Sequence, residues 1–330
     1  MKILVTGGLG YIGSHTVVEL INNNHQVIIV DNLINSNLEV LNKINKITAN
    51  NPIFYEIDVT NEEKLEPVFR EQKIDGVIHF AGLKAVGESV LKPLDYYYNN
   101  VLSTIVLARI CVKYKVNKFV FSSSATVYGD QPSPLREDME LMKTTNPYGE
   151  TKAISERILT DTNYANKDFA VSLLRYFNPI GAHGSGLIGE NPKGIPNNLM
   201  PYITKVASGV LEKLKIYGND YDTVDGTGVR DYIHVVDLAK GHVKAIENLH
   251  SGVNIYNLGT GRGTSVLELV NTFIKINNIN VPYEIVERRQ GDIATCYADP
   301  SKAEKELGWT ATMGIEDMVR DAWRFERNNI

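Results

Sequence analysis

Cysteine is scarce in this chain: 330 residues contain two, Cys111 and Cys296, far apart in sequence. That excludes a disulfide framework or a thiolate metal pair as the organising element, and it suits a reducing cytoplasm. The seven histidines are scattered without ligand spacing, so no metal site is expected. Basic runs are missing and the net charge is −5. A sequence-independent grip on nucleic acid needs a Lys/Arg surface, so no nucleic-acid partner is expected. No apolar stretch approaches the length that spans a bilayer, which argues against a membrane partner. The opening residues 1–6 are too short for a signal-peptide core and run directly into a glycine turn. Internal repeats and low-complexity tracts are absent too. What remains is an ordinary globular composition, 43% hydrophobic and 22% charged, with length for one large domain or two closely joined ones.

Short β-branched runs at 2–6, 26–30, 53–57, 76–80, 118–122 and 170–174 alternate with helical patterns near 11–23, 61–72, 93–114 and 147–163. Strands of continuous apolar character between helices indicate a parallel sheet covered on both faces. Right-handed crossovers then favour an α/β doubly wound topology of Rossmann type. After residue 175 the rhythm turns irregular, with Gly and Pro clustered in 178–196. Segments 235–249 and 254–258 return towards the first pattern, and 266–277 and 314–327 look helical. The expected division is a dinucleotide domain over 1–175, with return segments near 235–258, and a smaller interleaved lobe over 176–330. The helix at 93–114 is apolar on most sides between Val101 and Val112. Such a helix is buried on more than one side, either by a neighbouring helix of the same chain or by a second subunit.

Gly7, Gly10 and Gly13 lie where the first strand turns into a helix. Such a turn needs freedom from Cβ strain, close backbone approach to a diphosphate, and tight helix–strand packing. The free N–H groups and helix dipole favour the anion. Asp31 ends the second strand at the distance of the ribose-binding acid, and no Arg or Lys lies in residues 32–37 to neutralise a 2′-phosphate. NAD is therefore favoured over NADP. Asp58 and Val59 follow the third strand and Phe80, Ala81 and Gly82 the fourth, at the strand ends where ligands bind in such sheets.

Ser124, Tyr148 and Lys152 form the second constellation. Asn146 and Pro147 read as N-cap and N1 of a helix, which puts Tyr148 and Lys152 on one face. A free phenol has a pKa of about 10. Bringing it near 7 for use as a base changes its free energy by roughly 4 kcal/mol. A nearby ammonium, a cationic nicotinamide and the helix N-terminus all act in that direction. Ser124 would bridge the phenol and a substrate hydroxyl.

These motifs resemble the extended short-chain dehydrogenase/reductase family. The blocks 81–89, 122–129, 174–179 and 228–235 are similar to the UDP-sugar 4-epimerases within it, over essentially the whole chain. The resemblance implies NAD⁺ held through turnover. Tyr148 would take the 4-hydroxyl proton through Ser124, and hydride would leave C4 and return to the other face after the keto sugar turns. UDP-glucose and UDP-galactose would interconvert. Among cofactor contacts the resemblance also implies Tyr11, Ile12, Asn32, Asn35, Ser36, Lys84, Asn99, Ser122 and Phe177. It places Lys84, Asn178, Asn198, Leu199, Tyr217, Arg230, Arg289, Asp292 and Cys296 around the UDP-sugar, together with Ser124 and Tyr148. The arginines offer paired donors to phosphate oxygens. Residues 291–299 align without gaps and set Cys296 beside the sugar C2, where the family usually carries tyrosine. A small residue there implies room for N-acetylated sugars. A homodimer built through 93–114 and 147–163 is also implied.

Competing readings remain at this level. A 4,6-dehydratase would need an acid pair after the active-site hydroxyl, where this chain has Ala125 and Thr126. A uronate epimerase, a simple alcohol dehydrogenase or a non-catalytic NAD-binding sensor would share parts of the pattern.

Overall fold

Strands made of continuous β-branched runs have no face to spare for solvent, and they gather here into one sheet. A computed structural model describes residues 1–194, 196–289 and 292–329 of the chain. The sheet contains β1 (Lys2–Thr6), β2 (Gln26–Asp31), β3 (Ile53–Glu56), β4 (Gly76–His79), β5 (Lys118–Ser124) and β6 (Ala170–Tyr176). A seventh strand, Val253–Leu258, returns from the second half of the chain and pairs with β6. The order is Val253–Leu258, β6, β5, β4, β1, β2, β3, and every pairing is parallel. This is the Rossmann-type sheet that the alternating pattern implies. Strand order reverses between β1 and β4, and the crevice at such a switch point is where ligands bind.

Alternation along each strand fills both faces. Ile3, Val5, Ile29, Val120 and Leu174 pack with helix α1 (Tyr11–Asn22) and the returning helix Val235–Asn248. Leu4, Ile28, Val77, Phe119 and Phe121 pack on the other face. That face is covered by α3 (Glu62–Gln72), α6 (Leu102–Tyr114) and α7 (Pro147–Ala165). Helix α2 (Glu39–Thr48), not among the expected helical patterns, turns Val40, Leu41, Ile44 and Ile47 to the core on the α1 side, with Ile44 fully buried. The second half builds its own core around Ile203, Leu269, Phe273 and Val319. Its strands are short, such as Val229–Arg230 and Thr295–Cys296, which is why no strand rhythm shows there.

The expected helix over 93–114 is interrupted. It runs as α5 (Pro93–Tyr96), a wide π-helical turn at Tyr97–Val101, and α6, preceded by α4 (Val86–Leu91). The extra residue in a π turn re-aims side chains. Here it buries Asn100, whose amide accepts from the Leu83 N–H at 2.7 Å and donates to the Leu83 carbonyl and Thr151 Oγ1, each at 3.0 Å. One side chain thus ties the loop after β4 to α7. The apolar surplus of α6 is largely used inside the chain, with Leu107, Ile110 and Cys111 fully buried. Exposed apolar side chains lie just before it instead, at Val86, Val90, Leu91, Leu94 and Tyr98.

Asn100→Ala removes the partner of both half-buried main-chain groups of Leu83. It is expected to destabilise the chain by about 1–3 kcal/mol, read by urea unfolding, and to speed hydrogen exchange at the Leu83 amide. Unchanged exchange at Leu83 would contradict the clamp.

Candidate functional site

The glycine turn is interlocked. Gly7 has φ +67°, and a Cβ there would stand 2.8 Å from the Ala81 nitrogen. A Cβ on Gly13 would collide with the Gly7 carbonyl oxygen, and one on Gly10 would lie 3.2 Å from it. The turn is therefore pressed between itself and the loop after β4, which leaves its outer surface for a ligand's close approach. Helix α1 starts at Gly10 with no side-chain cap, so its first-turn N–H groups, at Tyr11, Ile12 and Gly13, have none from that position. This is an anion cradle.

Asp31 closes the cradle. It is buried and accepts from the Leu9 N–H at 3.0 Å, the Leu33 N–H at 3.0 Å and Ser36 Oγ at 2.7 Å. A carboxylate has about four acceptor positions, so one stays open for a ribose hydroxyl. Asn35, four residues on, is exposed. Asp58 is more committed, since it accepts from Asn32, the Thr60 N–H and the Thr60 hydroxyl. Its partial burial would raise the carboxyl pKa, but these hydrogen bonds outweigh burial and hold it low. Val59 is buried behind it, while Phe80, Ala81 and Gly82 are half-buried in the crevice.

The second constellation converges on the same crevice. Asn146 caps α7 through the Gly149 N–H at 2.9 Å, and Pro147 takes the first turn. Tyr148 and Lys152 then face the end of β5. Lys152 Nζ donates to the Ser122 carbonyl at 2.8 Å, 4.8 Å from the Phe121 ring centroid and 5.8 Å from that of Tyr148. Ser124 Oγ accepts from the Thr126 N–H at 3.2 Å and the Thr126 hydroxyl at 3.0 Å. With both acceptor positions used, its own proton is left to donate outward. Ser122 Oγ and the Tyr176 hydroxyl share a bond of 2.6 Å, and Phe177 is buried alongside.

The electrostatics differ from the sequence expectation in one respect. In the chain alone, burial raises the Tyr148 phenol, the Tyr176 phenol adds to that, and the Ser124 hydroxyl opposes it. Burial also pushes the Lys152 ammonium down to about 8, against the pull of Glu156. The reason is plain: an 8%-exposed phenol has little solvent to stabilise its anion. A further positive charge in the crevice would act against burial and favour the phenolate.

Most of the remaining predicted residues fall into three groups, with Asn178 and Asn99 apart from them. Lys84 donates to Glu190 at 2.9 Å and Asn198 donates to the same oxygen at 2.6 Å, with Leu199 next to Asn198 at a helix start. Tyr217, Arg289 and Asp292 stand together: the Arg289 guanidinium lies 4.8 Å over the Tyr217 ring and donates to Asp292 at 2.9 Å. Arg230 pairs in register with Cys296, and its guanidinium donates to the Val229 carbonyl at 2.8 Å. Gly291, from the aligned run, lies outside the described residues. Cys296 packs against the cluster of Val127, Tyr128 and Phe177, while Tyr297 sits on the other side against Gly263. Asn178 is exposed at the start of the Asn178–Ile180 strand, and Asn99 is half-buried in the π turn. Glu190 and Asn100 were missed by sequence reasoning. Glu190 lies in the irregular 178–196 stretch, and the Asn99-Asn100 pair gave no periodic signal. Among the described residues no group of three or more His, Cys, Asp or Glu could hold a metal ion.

A model of the NAD dependent epimerase/dehydratase family matches residues 3–259. A UDP-glucose 4-epimerase of Bacillus subtilis is 57% identical over 333 residues, covering 100% of this chain and 98% of the relative. The crystal structure of UDP-glucose 4-epimerase from Bifidobacterium longum in complex with NAD+ and UDP superposes with a TM-score of 0.97 at 54% identity, covering 100% of this chain and 99% of that one. The structure of the UDP-Glc/GlcNAc 4-epimerase from Campylobacter jejuni gives a TM-score of 0.86 at 34% identity, with 99% of each chain covered.

Proposed function

The chain belongs to the NAD dependent epimerase/dehydratase family, and we propose that it interconverts UDP-glucose and UDP-galactose with NAD as resident cofactor. The observation that carries this reading is the meeting of Ser124, Tyr148 and Lys152 with an interlocked glycine cradle at one switch point of the sheet. NAD, when bound, supplies a reversible hydride acceptor and a positive ring. Gly7, Gly10, Tyr11, Ile12 and Gly13 would hold its diphosphate. Asp31, Asn32, Asn35, Ser36, Asp58 and Val59 would hold its adenosine half. Phe80, Ala81, Gly82, Lys84, Asn99, Ser122, Tyr148, Lys152 and Phe177 would line the rest.

Tyr148 then takes the sugar 4-hydroxyl proton, and Ser124 donates a hydrogen bond that fixes the hydroxyl. Lys152 stabilises the phenolate by charge. Arg230 and Arg289 take the diphosphate of the UDP-sugar, with Tyr217 and Asp292 at the nucleoside and Asn178, Asn198 and Leu199 around the sugar and phosphates. Ala125 and Thr126 supply no carboxylate, so an elimination has no acid pair to drive it. The free cysteines suit a cytoplasmic setting, and no helix among the described residues is long and apolar enough to cross a membrane.

Purified protein incubated with UDP-galactose and no added cofactor should yield UDP-glucose. Tyr148→Phe should lower turnover by about 10²–10⁴ and leave UDP affinity within a few-fold. No conversion by protein shown to contain NAD⁺, or a variant retaining more than about a tenth of wild-type turnover, would refute the assignment.

N-acetylated substrates belong to the same reading. Cys296 is small and faces the Phe177 side, and Tyr297 turns away. UDP-N-acetylgalactosamine should therefore be epimerised, and Cys296→Tyr should lose that activity while UDP-galactose turnover survives. Wild type that ignores the acetylated sugar would sink the gate.

We also propose a homodimer that includes the α5–α6 region and α7, covering the exposed Leu91, Leu94, Tyr98 and Tyr164. Sedimentation should show two copies at micromolar concentration, and a monomer would refute it.

A further inference from the structure

One turn beyond Lys152 on α7 stands Glu156, a buried carboxylate. Its Oε1 accepts from Ser123 Oγ at 2.5 Å and from Arg175 Nε at 3.0 Å. Its Oε2 accepts from Arg175 Nη2 at 2.6 Å. The pair is almost fully enclosed, with side chains 5% and 3% exposed. Arg175 in turn lies 4.8 Å over the Tyr128 ring and is the registered neighbour of Ser123 across β5 and β6.

The placement is specific. Ser123 lies between Ser122, whose carbonyl holds Lys152, and Ser124, whose hydroxyl accepts from Thr126. A carboxylate on α7 therefore fastens the strand segment that carries both groups. It also stands near the Lys152 ammonium, which it helps to keep protonated against burial. The other groups around Lys152 cannot do this. Tyr148 shares its helix, and its burial disfavours the phenolate. On β4, buried His79 is pushed down to about 3 and is neutral near pH 7. On β5 there are the Phe121 ring and the neutral Ser122. On β6, Tyr176 is a phenol bonded to Ser122, and Arg175 is itself a cation.

A purely structural pair would be a poor use of two buried charges. Breaking a buried pair is destabilising, yet an apolar replacement of both partners is often neutral or better. We propose that Glu156 is a positioning residue for the epimerisation: it fixes the Ser122–Ser124 strand end against α7 and supplies the negative charge that keeps Lys152 an ammonium beside Tyr148. Arg175 prevents that carboxylate from being buried alone. The inference rests on the catalytic assignment of Tyr148 and Lys152.

The test uses the holoenzyme labelled with ¹³C at lysine Cε, the Lys152 signal being assigned by its loss in Lys152→Ala. In Glu156→Gln the Lys152 titration midpoint should fall by about one pH unit, tenfold in proton affinity. The acid limb of the kcat profile should move to higher pH, because a neutral lysine no longer favours the phenolate. KM for UDP-galactose should change less than kcat. Ser123→Ala keeps the carboxylate, so it should lower kcat with the Lys152 midpoint in place. If Glu156→Gln does not fold, the double variant Glu156→Gln/Arg175→Met decides by the same readouts. An unmoved Lys152 midpoint and an unmoved acid limb, with only a lower Tm, would overturn the proposal. Because the Lys152 titration is read without turnover, a failure of the epimerase assignment itself would show separately, as wild-type protein with NAD⁺ and no conversion.

Discussion

A buried ammonium needs a reason to stay charged, and the site depends on how that is arranged. Lys152 Nζ lies 2.8 Å from the Ser122 carbonyl inside the layer between β5 and α7. Burial brings it down to about 8 even with Glu156 pulling the other way, so near neutral pH it is still mostly protonated. The same burial raises the Tyr148 phenol. The two groups are thus set against their solution tendencies in opposite senses, as proton-transfer sites commonly are. Within the proposed reaction, a second positive charge from the bound cofactor completes the balance. In that reaction the chain would supply the phenol, its proton path and one cation, and the ligand the second positive charge.

Geometry holds these groups where chemistry can use them. The switch point between β1 and β4 opens the crevice. The glycine turn fits because each of Gly7, Gly10 and Gly13 is short of room for a side chain. Asn100 locks the loop after β4 to Thr151 on α7, so the cofactor side and the proton-transfer side of the crevice share one brace. That brace depends on the π turn at Tyr97–Val101. A regular helix would have rotated Asn100 away from Leu83.

Much of this was legible in the residues. The seven-stranded sheet follows from the β-branched runs, and the α7 start follows from Asn146 and Pro147, because cap and N1 chemistry are local. The glycine turn is likewise local. Three things were not legible. The π turn leaves no periodic mark, so residues 93–114 read as one helix. The partners of Asn100, Glu156 and Glu190 lie 8 to 106 residues away in sequence, and no local pattern announces them. The direction of the Tyr148 shift depends on how deeply the ring is buried, which spacing does not state.

Within the proposed reaction the Lys152 charge sets the proton affinity of Tyr148. The direct measurement is the pH dependence of UDP-galactose turnover for Lys152→Ala beside wild type. With the ammonium removed, the phenol holds its proton more tightly, so the acid limb should move to higher pH while the rate far above it recovers. An acid limb that stays where it is in wild type would contradict the account.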